Sequence, residues 1–121
     1  MEINTVEVGG VKIAAVKGEG KLLCDERSAL DIIASVNYIT GCDRMTIAKS
    51  SVADDFFVLS TRLAGDILQK FINYHMKLAI YGDYSGYKSK PLHDFIYESN
   101  RGKDIFFTAT EKEAELKLSG I

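Results

Sequence analysis

The stretch "KLAIYGDYSGYKSKPLHDFIYESNRGKDIFFTA", residues 77–109, decides the fold class. "KLAIYG" is a short apolar run, suited to a strand buried on both faces. "KPLHDFIYESNRG" places Leu92, Phe95, Ile96 and Ser99 on one helical face, with Pro91 in the first turn and Gly102 just past the end. "DIFFTA" closes the unit as a second strand. A strand, a helix and a strand make one crossover unit, whose right-handed form implies parallel neighbours.

Upstream, "SVADDFFVLSTRLAGDILQKFINYH" predicts an irregular or short helical segment over Asp55–Leu59 and a main helix over Thr61–Tyr74. Leu63, Ile67, Leu68 and Phe71 form its apolar stripe, and Ser60 is its expected cap. Gly65 costs about 1 kcal/mol inside that helix relative to Ala, so close packing on the sheet is expected there. "RMTIAK" is a further short strand. In "CDERSALDIIASVNYITG", Ala29, Ile32, Ile33 and Val36 share one face, with Asp25 as N-cap and Gly41 as terminator. The opening "INTVEVGGVKIAAV" reads as strands Ile3–Val8 and Val11–Val16 around a Gly9-Gly10 type I′ turn. At the other end, Thr110 and Glu113 have capping-box spacing, and Gly120 ends the last helix. The predicted order is β-β-α-β-α-β-α-β-α, an α/β fold with a mixed, mostly parallel sheet and an N-terminal hairpin.

The 121 residues imply one domain, 1–121. A formal net charge of −2 with dispersed Lys and Arg lacks the basic stripe of a nucleic-acid binder. No charged-then-apolar leader or long apolar run is present, so a cytoplasmic, unprocessed protein off the membrane is expected. Cys24 and Cys42 form no C-x-x-C motif and are expected to be free thiols.

The wording of "DFFVLSTRLAGDILQKFINYHMKLAIYGDYS" and "LHDFIYESNRGKDIFF" resembles an uncharacterised bacterial family, domain of unknown function 4180. That resemblance implies no activity. The element order, with a Ser-Thr pair before "LAGDIL", is similar to STAS-type domains, small α/β modules that bind proteins and sometimes nucleotides. The STAS resemblance implies a phosphorylated hydroxyl at Ser60 or Thr61. The chain departs from the Asp-Ser-Ser-Gly pattern of that branch by reading Leu59-Ser60-Thr61-Arg62.

Candidate function concentrates on two turns expected along one rim of the sheet. Ser60, Thr61 and Arg62 sit at a helix start, where an anion is favoured by the dipole and by the guanidinium. Asp83, Tyr84, Ser85 and Tyr87 follow the carboxyl end of a strand, where ligands gather near a reversal of strand order. Tyr84 and Tyr87 are expected to be less buried than Tyr81. His75 and His93 are expected at opposite sheet ends, so no shared metal is expected, and no phosphate-cradling motif or cofactor signature occurs. A Ser85–His93–Asp83 triad lacks a nucleophile elbow. The leading expectation is a non-enzymatic regulatory or protein-interaction module docking an unknown protein through these turns, with homo-oligomerisation open. The alternative is a small-ligand binder or enzyme with a pocket at the same rim, using Asp83 and Ser85 with Ser50 and Thr108 as neighbours.

Overall fold

The computed structural model describes residues 1–120. Its elements are β1 (Glu2–Val8), β2 (Val11–Lys17), α1 (Glu26–Thr40), β3 (Arg44–Ala48), α2 (Leu63–Asn73), β4 (Lys77–Tyr81), α3 (Lys90–Arg101), β5 (Ile105–Thr108) and α4 (Glu111–Ser119). Three short 3₁₀ turns, Lys49–Ser51, Asp54–Phe57 and Leu59–Thr61, connect β3 to α2.

The local chemistry explains most boundaries. Gly9 and Gly10 both have positive φ, 58° and 80°, as the tight turn between β1 and β2 requires. Asp25 caps α1 by accepting the Ser28 N–H, and Ser28 returns a bond to the cap backbone. Ser89 caps α3 with Pro91 in its first turn, and Thr110 caps α4. The start of α2 differs from expectation: Arg62, at φ 67°, is its N-cap residue and makes no side-chain cap bond. Ser60 lies in the preceding 3₁₀ turn and does not cap the helix.

The five strands lie in the order β1-β2-β3-β4-β5, with β1 antiparallel to β2 and all other neighbours parallel. Each crossover steps the same way. Right-handed connections therefore put α1, α2 and α3 on one face. The last helix, α4, crosses the opposite face and touches every strand. Alternation along the strands sorts the core accordingly. Ala14, Val16, Met45, Ile47, Leu78, Ile80, Ile105 and Phe107 belong with the buried faces of α1 and α2 and with Leu92 of α3. Ile13, Ala79 and Phe106 meet Ala114 and Leu118 of α4.

This order contains no reversal. The sheet therefore has no strand-order switch point of the kind where ligands gather in open α/β sheets, because the chain winds in a single direction. Gly65 also corrects the expectation of close packing: it is exposed, and nothing lies within 4 Å of where its Cβ would be.

Among the described residues no helix is long and apolar enough to cross a membrane. Cys24 and Cys42 are free thiols.

Candidate functional site

The segment between β3 and α2 shapes the carboxyl rim of the sheet. It is tied down by the loop after β2: the Leu22 and Leu23 N–H groups both reach the Ser51 carbonyl, and Ala53 N–H donates to Leu23 O. Phe56 and Phe57 are then buried, with ring centroids 4.9 Å apart. Val58, one residue on, is 49% exposed.

An aromatic stack joins this segment to the loop after β4. Tyr87 lies nearly parallel to Phe57, with centroids 5.4 Å apart and an interplanar angle of 22°. Lys49 Nζ stands 4.9 Å from the Tyr87 centroid and 5.6 Å from that of Phe57, within cation–π range. Gly82 makes this approach possible, since a Cβ there would sit 2.5 Å from Lys49 Cβ.

Tyr84 is turned inward, contrary to the expectation for a loop tyrosine. Its ring packs against Phe57 at 5.9 Å and edge-on to Phe107 at 5.8 Å. Its hydroxyl donates to Ile80 O at 2.6 Å, and burial pushes its pKa well above the ordinary phenol value. All three of Tyr81, Tyr84 and Tyr87 are half-buried.

The hydroxyl pair divides in role. Thr61 Oγ1 lies 2.8 Å from both the Asp55 and Val58 carbonyls and accepts the Leu63 N–H at 3.2 Å. It holds the 3₁₀ turns together. Ser60 is exposed and its hydroxyl has no bond to any described residue. Asp83 closes a local turn by accepting the Ser85 N–H at 2.9 Å. The Ser85 hydroxyl, then its N–H, and the nearby Lys49 hold the Asp83 carboxyl below its usual range.

Two depressions result, on either side of the Lys49–Tyr87–Phe57 stack. One, of about 410 Å³, is lined by Phe57, Val58, Leu59, Ser60, Tyr87, Lys88, Ser89 and Pro91. The other, of about 360 Å³, is lined by Ala48, Lys49, Ser50, Tyr81, Gly82 and Asp83. Ser60 and Tyr87 thus share a groove, while Asp83 and Ser50 share the neighbouring cleft. Thr108 lines neither: it is buried, and its hydroxyl donates to Thr110 O at 3.0 Å. That removes one of the polar neighbours expected for a ligand pocket.

The Ser85–His93–Asp83 triad is not assembled. His93 Nε2 engages the Tyr87 carbonyl, and Asp83 is bonded to Ser85. His75 lines a cleft with Asp43, Lys77 and Asp104 at the opposite, amino end of the strands. Among the described residues no cluster of His, Cys, Asp or Glu could hold a metal ion. No buried side-chain nitrogen or oxygen lacks a hydrogen-bond partner there.

Residues 8–118 match the family described as Domain of unknown function (DUF4180). The chain belongs to that family. No curated protein and no solved structure matches it. The DUF4180 match spans all five strands and all four helices apart from most of β1 and the last residue of α4.

Sequence reasoning found Ser60 and Tyr87 but missed Lys49, Val58 and Pro91 as their companions. A usable sign was Val58, an apolar residue amid a run whose turn chemistry left no helix face to bury it. Nothing local marks Lys49, because its rings arrive from segments eight and thirty-eight residues away.

Proposed function

We propose that this DUF4180 domain is a regulatory module of the bacterial cytoplasm that docks a partner polypeptide in the Phe57–Pro91 groove. The occupant is an apolar segment flanked by acidic residues. The observation carrying this reading is the lining itself: Phe57, Val58, Leu59, Tyr87 and Pro91 present an apolar trough, with Ser60, Lys88 and Ser89 at its edge. Lys88 and the adjacent Arg62 are exposed and pair with no carboxylate among the described residues. Such cations suit an acidic flank and steer its approach.

Backbone conformation at Arg62 adds support. A non-glycine residue at positive φ is uncommon and costs on the order of 1 kcal/mol, and such outliers cluster at functional sites. Arg62 holds this conformation two residues after Ser60, a residue of the groove lining. The STAS-type resemblance points the same way, since those modules act by docking proteins. Ser60, the unbonded hydroxyl, is where a phosphate would add nearly two negative charges at the groove edge and repel the acidic flank.

The test uses a photo-crosslinking amino acid at Ser60 in the native cell, with the same group at the exposed Lys112 of α4 as control, followed by sequencing of the joined peptide. The expected product is one protein, joined through an apolar-acidic segment, and lost in a Val58→Asp background. No Ser60-specific product, together with a thermal shift from a small metabolite abolished by Val58→Asp, would transfer the groove to a small apolar ligand.

A further inference from the structure

The two edges of the sheet are treated differently. On the β5 edge, Asn100 of α3 covers Phe107, donating from Nδ2 to its carbonyl at 3.0 Å and accepting its N–H at 2.8 Å. On the β1 edge no side chain does this.

The register shows which groups are left bare. The two-residue turn makes Val8 and Val11 a hydrogen-bonded pair, and such pairs alternate along an antiparallel ladder. Glu2, Asn4, Val6 and Val8 therefore point their backbone groups at β2. Ile3, Thr5 and Glu7 point theirs outward, and no strand lies beyond β1 among the described residues. None of these three has a backbone or side-chain bond to cover its outward groups. The strand is seven residues long and pairs with β2 without a bulge or a proline. A long, regular, unprotected edge is a template for pairing with another strand.

We propose that β1 pairs antiparallel with β1 of a second copy, about a twofold axis through Thr5. Thr5 is the midpoint of Glu2–Val8, so this register overlaps the strands completely. It makes three hydrogen-bonded pairs, Ile3 with Glu7, Thr5 with Thr5 and Glu7 with Ile3, each exchanging two bonds. No like charges meet: Glu2 faces Val8 and Glu7 faces Ile3. Centring on Glu7 instead would set the two Glu7 side chains directly opposite, which is destabilising. The strand is thus its own complement over its full length in the Thr5-centred register, the condition for an isologous interface. The product is one continuous sheet across two copies, with both docking grooves left free.

The experiment is analytical ultracentrifugation of the full chain over a wide concentration range, with Thr5→Pro and Thr5→Lys. Proline at this position removes only an outward-facing N–H, and lysine sets two cations opposite each other. The expected result is a dimer for the natural sequence, weakened about tenfold or more in both variants, with the far-UV spectrum of Thr5→Lys unchanged. Register is read from cysteine scanning: Thr5→Cys should form an intermolecular disulfide on mild oxidation, while Asn4→Cys, which faces Val6 of the second copy, should not. A monomer at every concentration, or a dimer indifferent to both Thr5 variants, would overturn the proposal.

Discussion

The side chain of Asn100 imitates a peptide group on the free edge of β5. Its amide and carbonyl meet the Phe107 carbonyl and N–H at 3.0 and 2.8 Å, which is the pairing a sixth strand would make. One residue of α3 thereby covers the Phe107 position of that edge and anchors the helix to the strand that follows it.

Replacing it removes both bonds at once and strands a partly buried backbone pair. Asn100→Ala is expected to lower stability by about 2 kcal/mol. Asn100→Asp should cost at least as much at neutral pH, because a carboxylate cannot donate to the Phe107 carbonyl. Urea denaturation monitored by circular dichroism measures both. A loss below about 0.5 kcal/mol in each would show that water replaces the amide without penalty.

Two glycines should respond to alanine in opposite directions. Gly65 is exposed in the first turn of α2 with open space at its Cβ position, so Gly65→Ala should stabilise by about 0.5–1 kcal/mol. Gly82 faces Lys49 Cβ at 2.5 Å, an atom close to its own backbone and unable to swing away. Gly82→Ala should cost on the order of 1–3 kcal/mol and disturb the Lys49–Tyr87 stack. Thermal melts of the two single variants give the signs directly.

Legibility divided along the line between local and long-range chemistry. The hairpin turn, the Asp25, Pro91, Thr110 and Gly120 helix signals, and the alternating elements could be read because each rests on residues within one turn of one another. The order of strands along the sheet could not. Periodicity states that a strand is buried, not which strand lies beside it. Tyr84 shows the same limit: its loop position suggested exposure, while Phe57 and Phe107, distant in sequence, supply the pocket that buries it. The hydroxyl pair was found, but which member is structural depends on the Asp55 and Val58 carbonyls, visible only once the 3₁₀ turns are built.

That division of labour between Ser60 and Thr61 has its own consequence. Thr61→Val keeps the shape but discards the hydroxyl that links two carbonyls to the first turn of α2, and should cost about 1–2 kcal/mol. Ser60→Ala should lie within about 0.5 kcal/mol of the natural sequence. Chemical denaturation separates them, and equal effects would mean that the two hydroxyls exchange roles in solution.

Acid should unfold the protein partly through its caps and turns. The Asp25 carboxyl is held low by the Ser28 N–H, accepted at 2.8 Å, and then by the Ser28 hydroxyl. Arg44 lowers Asp43, and Ser85 lowers Asp83. In each case the folded value lies below the unfolded one, so the unfolded chain takes up protons first. The associated stability is present above the unfolded carboxyl value of about pH 4 and drains as pH falls through the folded values. Asp25→Asn retains an acceptor for the Ser28 N–H but no longer titrates. Its stability should stay close to that of the natural sequence at neutral pH, and its acid limb should be shallower. Urea midpoints measured from pH 7 down to the acid transition check this, and identical slopes in the two proteins would remove Asp25 from the set of groups that drive acid unfolding.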